Sequence, residues 1–307
     1  MKFLVRFCLS VSLGFVSVPA SATTVPQVVA DLPATHSLVS MIMGELGEPE
    51  LLLRGAIDPH HHTMRPSAAG MLESSDLVVW LHPELAPWLP MAVANLAPAA
   101  SSLRLMDVPG TVILDARTGH HLKSTGLNGA GQQAPQVIDP HGWLDPVNAG
   151  VWLVSISRIL QELDPANAAV YRKNMEAATL QLENLTGQLA AQLASIPRIR
   201  YLVAHDSYQY FEQRFGFVSL AAIAASDAAI PGPRRLHSLR KLAQEHQPLC
   251  IFSEPAANPK RLAALFEGVE AQVVQLDPVG VSFAPGPELY LELLQHLVDS
   301  MSTCPYG

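Results

Sequence analysis

Apolar residues fall along this chain in two rhythms. Short, nearly unbroken apolar runs occur at QVVAD (residues 27–31), ELLLR (50–54), DLVVWL (76–81) and TVILD (111–115). A second set follows at RYLVAH (200–205), VSLAAIA (218–224), LCIFS (249–253) and QVVQLD (272–277). Runs of this length, apolar on both sides and separated by helical patterns, predict parallel strands covered on both faces. Between the two sets lies the longest helical rhythm. Tyr171, Met175, Ala178, Leu182, Leu185, Leu189 and Leu193 recur every three or four positions and form one stripe. Asp164 and Pro165 suit its N-cap and first turn, and Pro197 stops it. A helix over 165–195 would be about 46 Å long, enough to run down the back of two domains and join them stiffly.

The pattern therefore predicts an α/β fold of two similar domains, each a mostly parallel four-stranded sheet flanked by helices, joined by one long rigid backbone helix. The expected boundaries are a signal peptide at 1–22, an N-terminal α/β domain at 23–163, the linking helix at 164–197 and a C-terminal α/β domain at 198–307. The segment 117–136, RTGHHLKSTGLNGAGQQAPQ, has four glycines and no periodicity. It reads as a long loop carrying His120 and His121.

The ends of the chain place it. Lys2 and Arg6 precede an apolar run from Phe7 to Val18 and a small-residue ASA at 20–22. That is the form of an export signal cleaved near Thr23, and its apolar run is too short to span a bilayer. Cys8 follows Val5, Arg6 and Phe7 rather than small residues, so a freely soluble exported chain is expected over a lipid-anchored one. Of three cysteines, Cys250 and Cys304 survive cleavage, and in an oxidising compartment they are expected to pair. The formal charge is −8, and losing two signal-peptide cations takes it to −10. An acidic chain with no basic cluster argues against nucleic acid as partner.

Candidate chemistry gathers at strand ends, where open α/β sheets bind their ligands. His60 follows ELLLR within GAIDPHHHTMRPS, His141 sits in DPHGWLDP, His205 closes RYLVAH and Asp277 closes QVVQLD. Three imidazoles and one carboxylate make a good tetrahedral set for Zn2+. Each residue alone is more often structural, a hydrogen-bonded histidine or a turn-forming aspartate before proline. His61 and His62 adjoin His60, and in an extended segment His61 would point the other way.

The motifs ADLPATHSLV, H-x4-R-P-S, SSDLVVWLHPELAPWL, DPHGWLDPVNA, AHDSYQYFEQRFG, IPGPRRLHSLR, CIFSEP and LDPVG occur here in one order along the mature chain. In this the chain resembles the zinc-binding solute-binding proteins of bacterial ABC importers, the ZnuA and AztC type. The resemblance implies two α/β domains with one high-affinity Zn2+ site between them. Its ligands would be His60, His141, His205 and, as fourth, Asp277. His61, His62, His120 and His121 would be auxiliary metal contacts at most. It implies a periplasmic, monomeric carrier rather than an enzyme, with the transported Zn2+ passed to an ABC permease and its ATPase. A periplasmic zinc metallochaperone is a further candidate partner.

Two departures matter. Pro59 stands where some relatives carry a glutamate, and the loop at 117–136 holds only two histidines. The residues leave two other readings open. One is a manganese-binding member of the same family, disfavoured because three nitrogens suit Zn2+ better than the harder Mn2+. The other is a secreted zinc hydrolase, which would keep an open water position beside a free carboxylate such as Glu254.

Overall fold

The computed structural model describes residues 25–55, 59–117, 137–224, 232–255 and 259–305. The first half opens with β1 (Val28–Ala30), α1 (Pro33–Met43), β2 (Glu50–Leu51) and α2 (Pro66–Glu73), then β3 (Leu77–Trp80), α3 (Leu89–Leu96) and β4 (Ser101–Arg104). Its four strands are parallel in the order β2-β1-β3-β4. After α4 (Pro146–Leu163) and α5 (Ala168–Ala194) the second half repeats the scheme. It runs through β5 (Tyr201–Val203), α6 (Gln209–Phe215), β6 (Ala221–Ala222), α7 (Pro233–Glu245), β7 (Leu249–Ser253), α8 (Pro259–Leu265), β8 (Ala271–Gln275) and α9 (Leu289–Met301). Its strands are again parallel, in the order β6-β5-β7-β8. The same arrangement has been built twice, as the two sets of apolar runs predict.

Strand alternation sorts side chains onto two faces. Val28 and Ala30 of β1, with Tyr201 and Val203 of β5, enter one continuous core that includes Trp143, Trp152, Tyr171 and Tyr290. The residues between them point the other way. Val29 packs with Leu52, Leu72 and Leu89, and Leu202 with Leu239, Ile251 and Phe266. Both faces of each sheet are thus covered, which is why these strands carry no polar alternation.

The long helix forms as its stripe predicts. Tyr171, Ala178, Leu182, Leu189 and Leu193 are its buried residues, and Met175 and Leu185 pack partly buried against the core. Its first turn, Pro165–Asn167, is a 3-10 turn rather than α-helix. Asp164 fixes the corner, its Oδ2 accepting from Tyr171 Oη at 2.9 Å and Asn167 Nδ2 at 2.7 Å. The last helix, α9, packs against both α1 and α5. Ser37 of α1 donates to Pro287 O (3.1 Å) and accepts from Tyr290 N (3.0 Å).

One expected strand is corrected. TVILD at 111–115 does not join the sheet; the fourth strand is β4, Ser101–Arg104, paired with β3. β4 is an edge strand with Leu103 as its one fully buried residue, so its sequence carries little apolar signal. Residues 111–115 instead cross toward the second half, and side chains satisfy their backbone. Val112 N donates to Asn148 Oδ1 (2.7 Å) and Leu114 N to Tyr210 Oη (3.0 Å). Asp115 forms an isolated bridge with Ile138.

Cys250 in β7 and Cys304 just beyond α9 form the expected disulfide. The expected export signal lies outside the described residues. Among those described, no helix is long and apolar enough to cross a membrane.

Candidate metal centre

Two of the candidate ligands, His205 and Asp277, stand just past strand ends, and the other two, His60 and His141, lie at short 3-10 turns. His205 is two residues beyond β5, and its carbonyl accepts from Ser207 N (3.0 Å) in a tight turn. His141 precedes the 3-10 turn Gly142–Leu144, which leads into α4. Asp145 caps that helix by accepting from Val147 N at 2.9 Å. The turn packs closely there: a Cβ on Gly142 would press against the end of the Met106 side chain. His60 lies on the 3-10 turn Pro59–His61.

The structure brings these three imidazoles together. The His141 ring centroid is 5.3 Å from that of His205 and 5.8 Å from that of His60. His141 and His205 are buried, and His60 is half-buried. The Nε2 atoms of His141 and His205 are 3.4 Å apart. Two nitrogens about 2.05 Å from one tetrahedral zinc would stand about 3.3 Å apart, so this pair already has ligand spacing.

Their other ring nitrogens explain the orientation. His141 Nδ1 is 2.7 Å from Asp139 Oδ1, which also accepts from the His141 backbone N–H at 3.0 Å. His205 Nδ1 is 2.8 Å from Glu254 Oε1, at the end of β7. His60 Nδ1 is 3.3 Å from the Glu84 carbonyl oxygen. An oxygen beside each Nδ1 favours the tautomer that carries the proton there, which leaves Nε2 as the lone pair a metal takes. Two such lone pairs facing each other at 3.4 Å repel unless a cation lies between them. Among the described residues, however, no three His, Cys, Asp or Glu side chains already converge closely enough to hold an ion. His60 is near the pair without completing it.

Asp277 is buried two residues beyond β8. Its Oδ1 accepts from Val279 N (3.2 Å) and Gly280 N (2.8 Å), and its Oδ2 from Ser282 N (2.7 Å). The turn needs the positive φ of 89° at Gly280. Among the described residues, no hydrogen bond or ion pair joins this carboxylate to an imidazole. The link is indirect: Trp143, whose ring centroid is 5.2 Å from that of His141, donates Nε1–H to Pro278 O at 2.6 Å. Trp143 thus walls the site, as does Tyr208, whose hydroxyl is 3.4 Å from Glu254 Oε1.

The remaining histidines separate. The His62 ring packs on Trp88 at 5.4 Å, and burial and nearby Arg65 lower its pKa. The side chain of His61, and the whole of His120 and His121, lie outside the described residues. His36 is structural, with Nε2 2.9 Å from Pro49 O. His296 is half-buried, its ring 5.5 Å from that of Phe283.

Sequence reasoning missed the network that ties the two halves beside the site. Arg117 forks onto Asp206, the neighbour of His205, and reaches Glu212 Oε2 at 2.7 Å. Burial opposes the Arg117 charge, but hydrogen bonds and attraction from the two carboxylates outweigh it and raise its pKa. Glu212 Oε1 also accepts from Tyr201 Oη (2.7 Å) and Ser219 N (2.9 Å). Tyr210 Oη donates to Asp139 O at 3.0 Å. The one local clue was Asp139, two residues before His141 in DPHG; the other partners come from distant segments.

Comparison with known proteins gives a consistent likeness. Residues 28–304 match the family described as "ZnuA: Zinc-uptake complex component A periplasmic". The chain is 36% identical to the high-affinity zinc uptake system protein ZnuA of Paracoccus denitrificans, covering 96% of each chain. It is 31% identical to the ZnuA of Brucella abortus, over 90% of this chain and 91% of that one. In fold it resembles a zinc-bound ZnuA deletion mutant, with a TM-score of 0.75 and 22% identity over 92% of this chain and 98% of that one.

Proposed function

This chain belongs to the ZnuA family of periplasmic zinc-uptake components, and from that premise we propose that His60, His141 and His205 hold its Zn2+ cargo. The protein is a periplasmic zinc-binding protein of an ABC-type zinc uptake system. The observation that carries the ligand set is the His141–His205 pair, with Nε2 atoms 3.4 Å apart and a carboxylate at each Nδ1. Zinc between those lone pairs replaces repulsion with two coordinate bonds. His60 supplies the third nitrogen by closing on the pair. Asp277 supplies the fourth donor: backbone amides hold its carboxylate, and Oδ2, which accepts a single bond from Ser282 N, keeps lone-pair capacity for a metal.

Three neutral nitrogens and one carboxylate favour Zn2+ over Mn2+. Four protein donors leave no open position for an activated water, as a carrier requires. Glu254 is committed to His205 rather than poised as a general base, which weighs against the hydrolase reading.

The carrier is exported through a signal peptide at 1–22, works as a monomer, and gives zinc to the permease, whose ATPase drives import. A periplasmic metallochaperone is a further partner for loading. Residues 23–163 and 198–307 act as two domains about the helix at 164–197. The interdomain bonds of Arg117, Tyr210 and Trp143 favour a small closing motion.

Zinc calorimetry tests the ligand set. His141→Ala, His205→Ala and His60→Ala should each weaken binding more than a hundredfold, beyond the 10–100-fold typical of losing an outer partner. Asp277→Ala should cost less, because water can fill its position. Unchanged affinity in any of the three histidine variants removes that residue from the set.

A further inference from the structure

The three imidazoles are not held alike. His141 and His205 are buried and each is backed by a carboxylate, whereas His60 lies half-buried on a short turn. That turn meets the stretch that leads into α3. Glu84 offers its carbonyl oxygen to His60 Nδ1 at 3.3 Å. Trp88 donates its indole N–H to the carbonyl of Pro59, the residue before His60, at 3.3 Å. The same indole carries the ring of His62, two residues after His60, at a centroid distance of 5.4 Å and an interplanar angle of 58°. One tryptophan therefore holds the turn on both sides of His60. Its own place is secured because it packs partly buried against two core clusters.

We propose that Trp88 and His62 form a clamp that positions His60 and so governs how firmly the third donor is held on the metal. This rests on the reading of His60 as a ligand. The clamp assigns the neighbours in the histidine run different work: His60 binds, and His62 packs its tilted ring against Trp88. A ring two residues away resists twisting of the turn, while the indole N–H fixes its other end. Because His60 must close on a pair already at ligand spacing, loosening the clamp lowers the fraction of molecules with the third donor in place. The consequence is faster release of zinc, with the other ligands unchanged.

The test is a double-mutant cycle read by the rate of zinc release to a chelator. His62→Ala and Trp88→Phe should each speed release about tenfold, the lower end of what loss of an orienting partner costs. His62→Phe, which restores a ring without a donor nitrogen, should return the rate to near that of the parent. In a His60→Ala background neither change should have further effect. If His62→Phe is as impaired as His62→Ala, His62 acts through its nitrogen and the clamp is wrong. Equal effects with and without His60 would make the contact general scaffolding and overturn the proposal. Should His60→Ala leave zinc affinity intact, the ligand assignment itself fails, and the clamp with it. His62→Ala removes only a surface-turn ring, so the cycle can be read even if Trp88→Phe folds poorly.

Discussion

Arg214 grips Asp145 with two parallel hydrogen bonds, Nε to Oδ1 and Nη2 to Oδ2, each 2.7 Å long. Asp145 is also the N-cap of α4, four residues after His141. One carboxylate thus starts a helix of the first half and anchors α6 of the second. Arg214→Ala should therefore destabilise the protein by about 3 kcal/mol, chiefly because Asp145 is left buried without its cation. Urea unfolding of the zinc-free protein measures this. A loss below about 1 kcal/mol would place the pair with ordinary surface bridges.

The carboxylates behind the imidazoles should matter to metal but little to the fold. Asp139→Asn and Glu254→Gln each keep the side-chain shape and weaken the acceptor at Nδ1. Zinc affinity is expected to drop 10–100-fold in each. Competition with a chromophoric chelator gives the number, and an unchanged affinity would show that these residues do not set the imidazole tautomers.

Asp31 gives the fold a pH dependence of its own. Burial raises its pKa from 3.8 to about 6, against the opposing effect of hydrogen bonds from the Leu81 and Leu32 amides. Between those values the folded chain keeps a proton that the unfolded chain has lost, so stability falls as pH rises through the window. Below it both states are protonated, and above it the penalty is constant. The stability of the parent relative to Asp31→Asn should thus decline by about 3 kcal/mol from pH 3.5 to pH 7. A difference that stays flat across that range contradicts the shift.

The disulfide joins β7 to the segment after α9 and closes a loop with a sequence separation of 54. In the chain-entropy model such a loop contributes about 4 kcal/mol. Cys250→Ala with Cys304→Ala should lower stability by roughly that amount while leaving zinc affinity within about threefold, since neither cysteine touches the imidazoles. Differential scanning calorimetry beside zinc titration separates the two effects.

Much of this architecture could be read from local pattern. The stripe from Tyr171 to Leu193 specified the long helix, because a helix buries one face and repeats it every three or four residues. Seven of the eight apolar runs marked strands, because parallel strands covered on both faces must be apolar at nearly every position. Burial is a demand on each residue separately, so it leaves its mark in the residue itself. The same pattern misplaced the fourth strand. TVILD is apolar, yet Asn148 and Tyr210 satisfy its backbone, whereas SSLR pairs with β3 at a sheet edge that asks for little apolarity. The histidines could be named as candidates from the sequence and its family resemblance, but not the 3.4 Å between His141 and His205, nor the contacts Trp88 makes with Pro59 and His62 on either side of His60. Those depend on where Asp139, Glu254 and Glu84 come to rest, and Glu254 is 49 residues from the histidine it faces. Apolarity is written one residue at a time; a distance between two side chains exists only once the chain has folded.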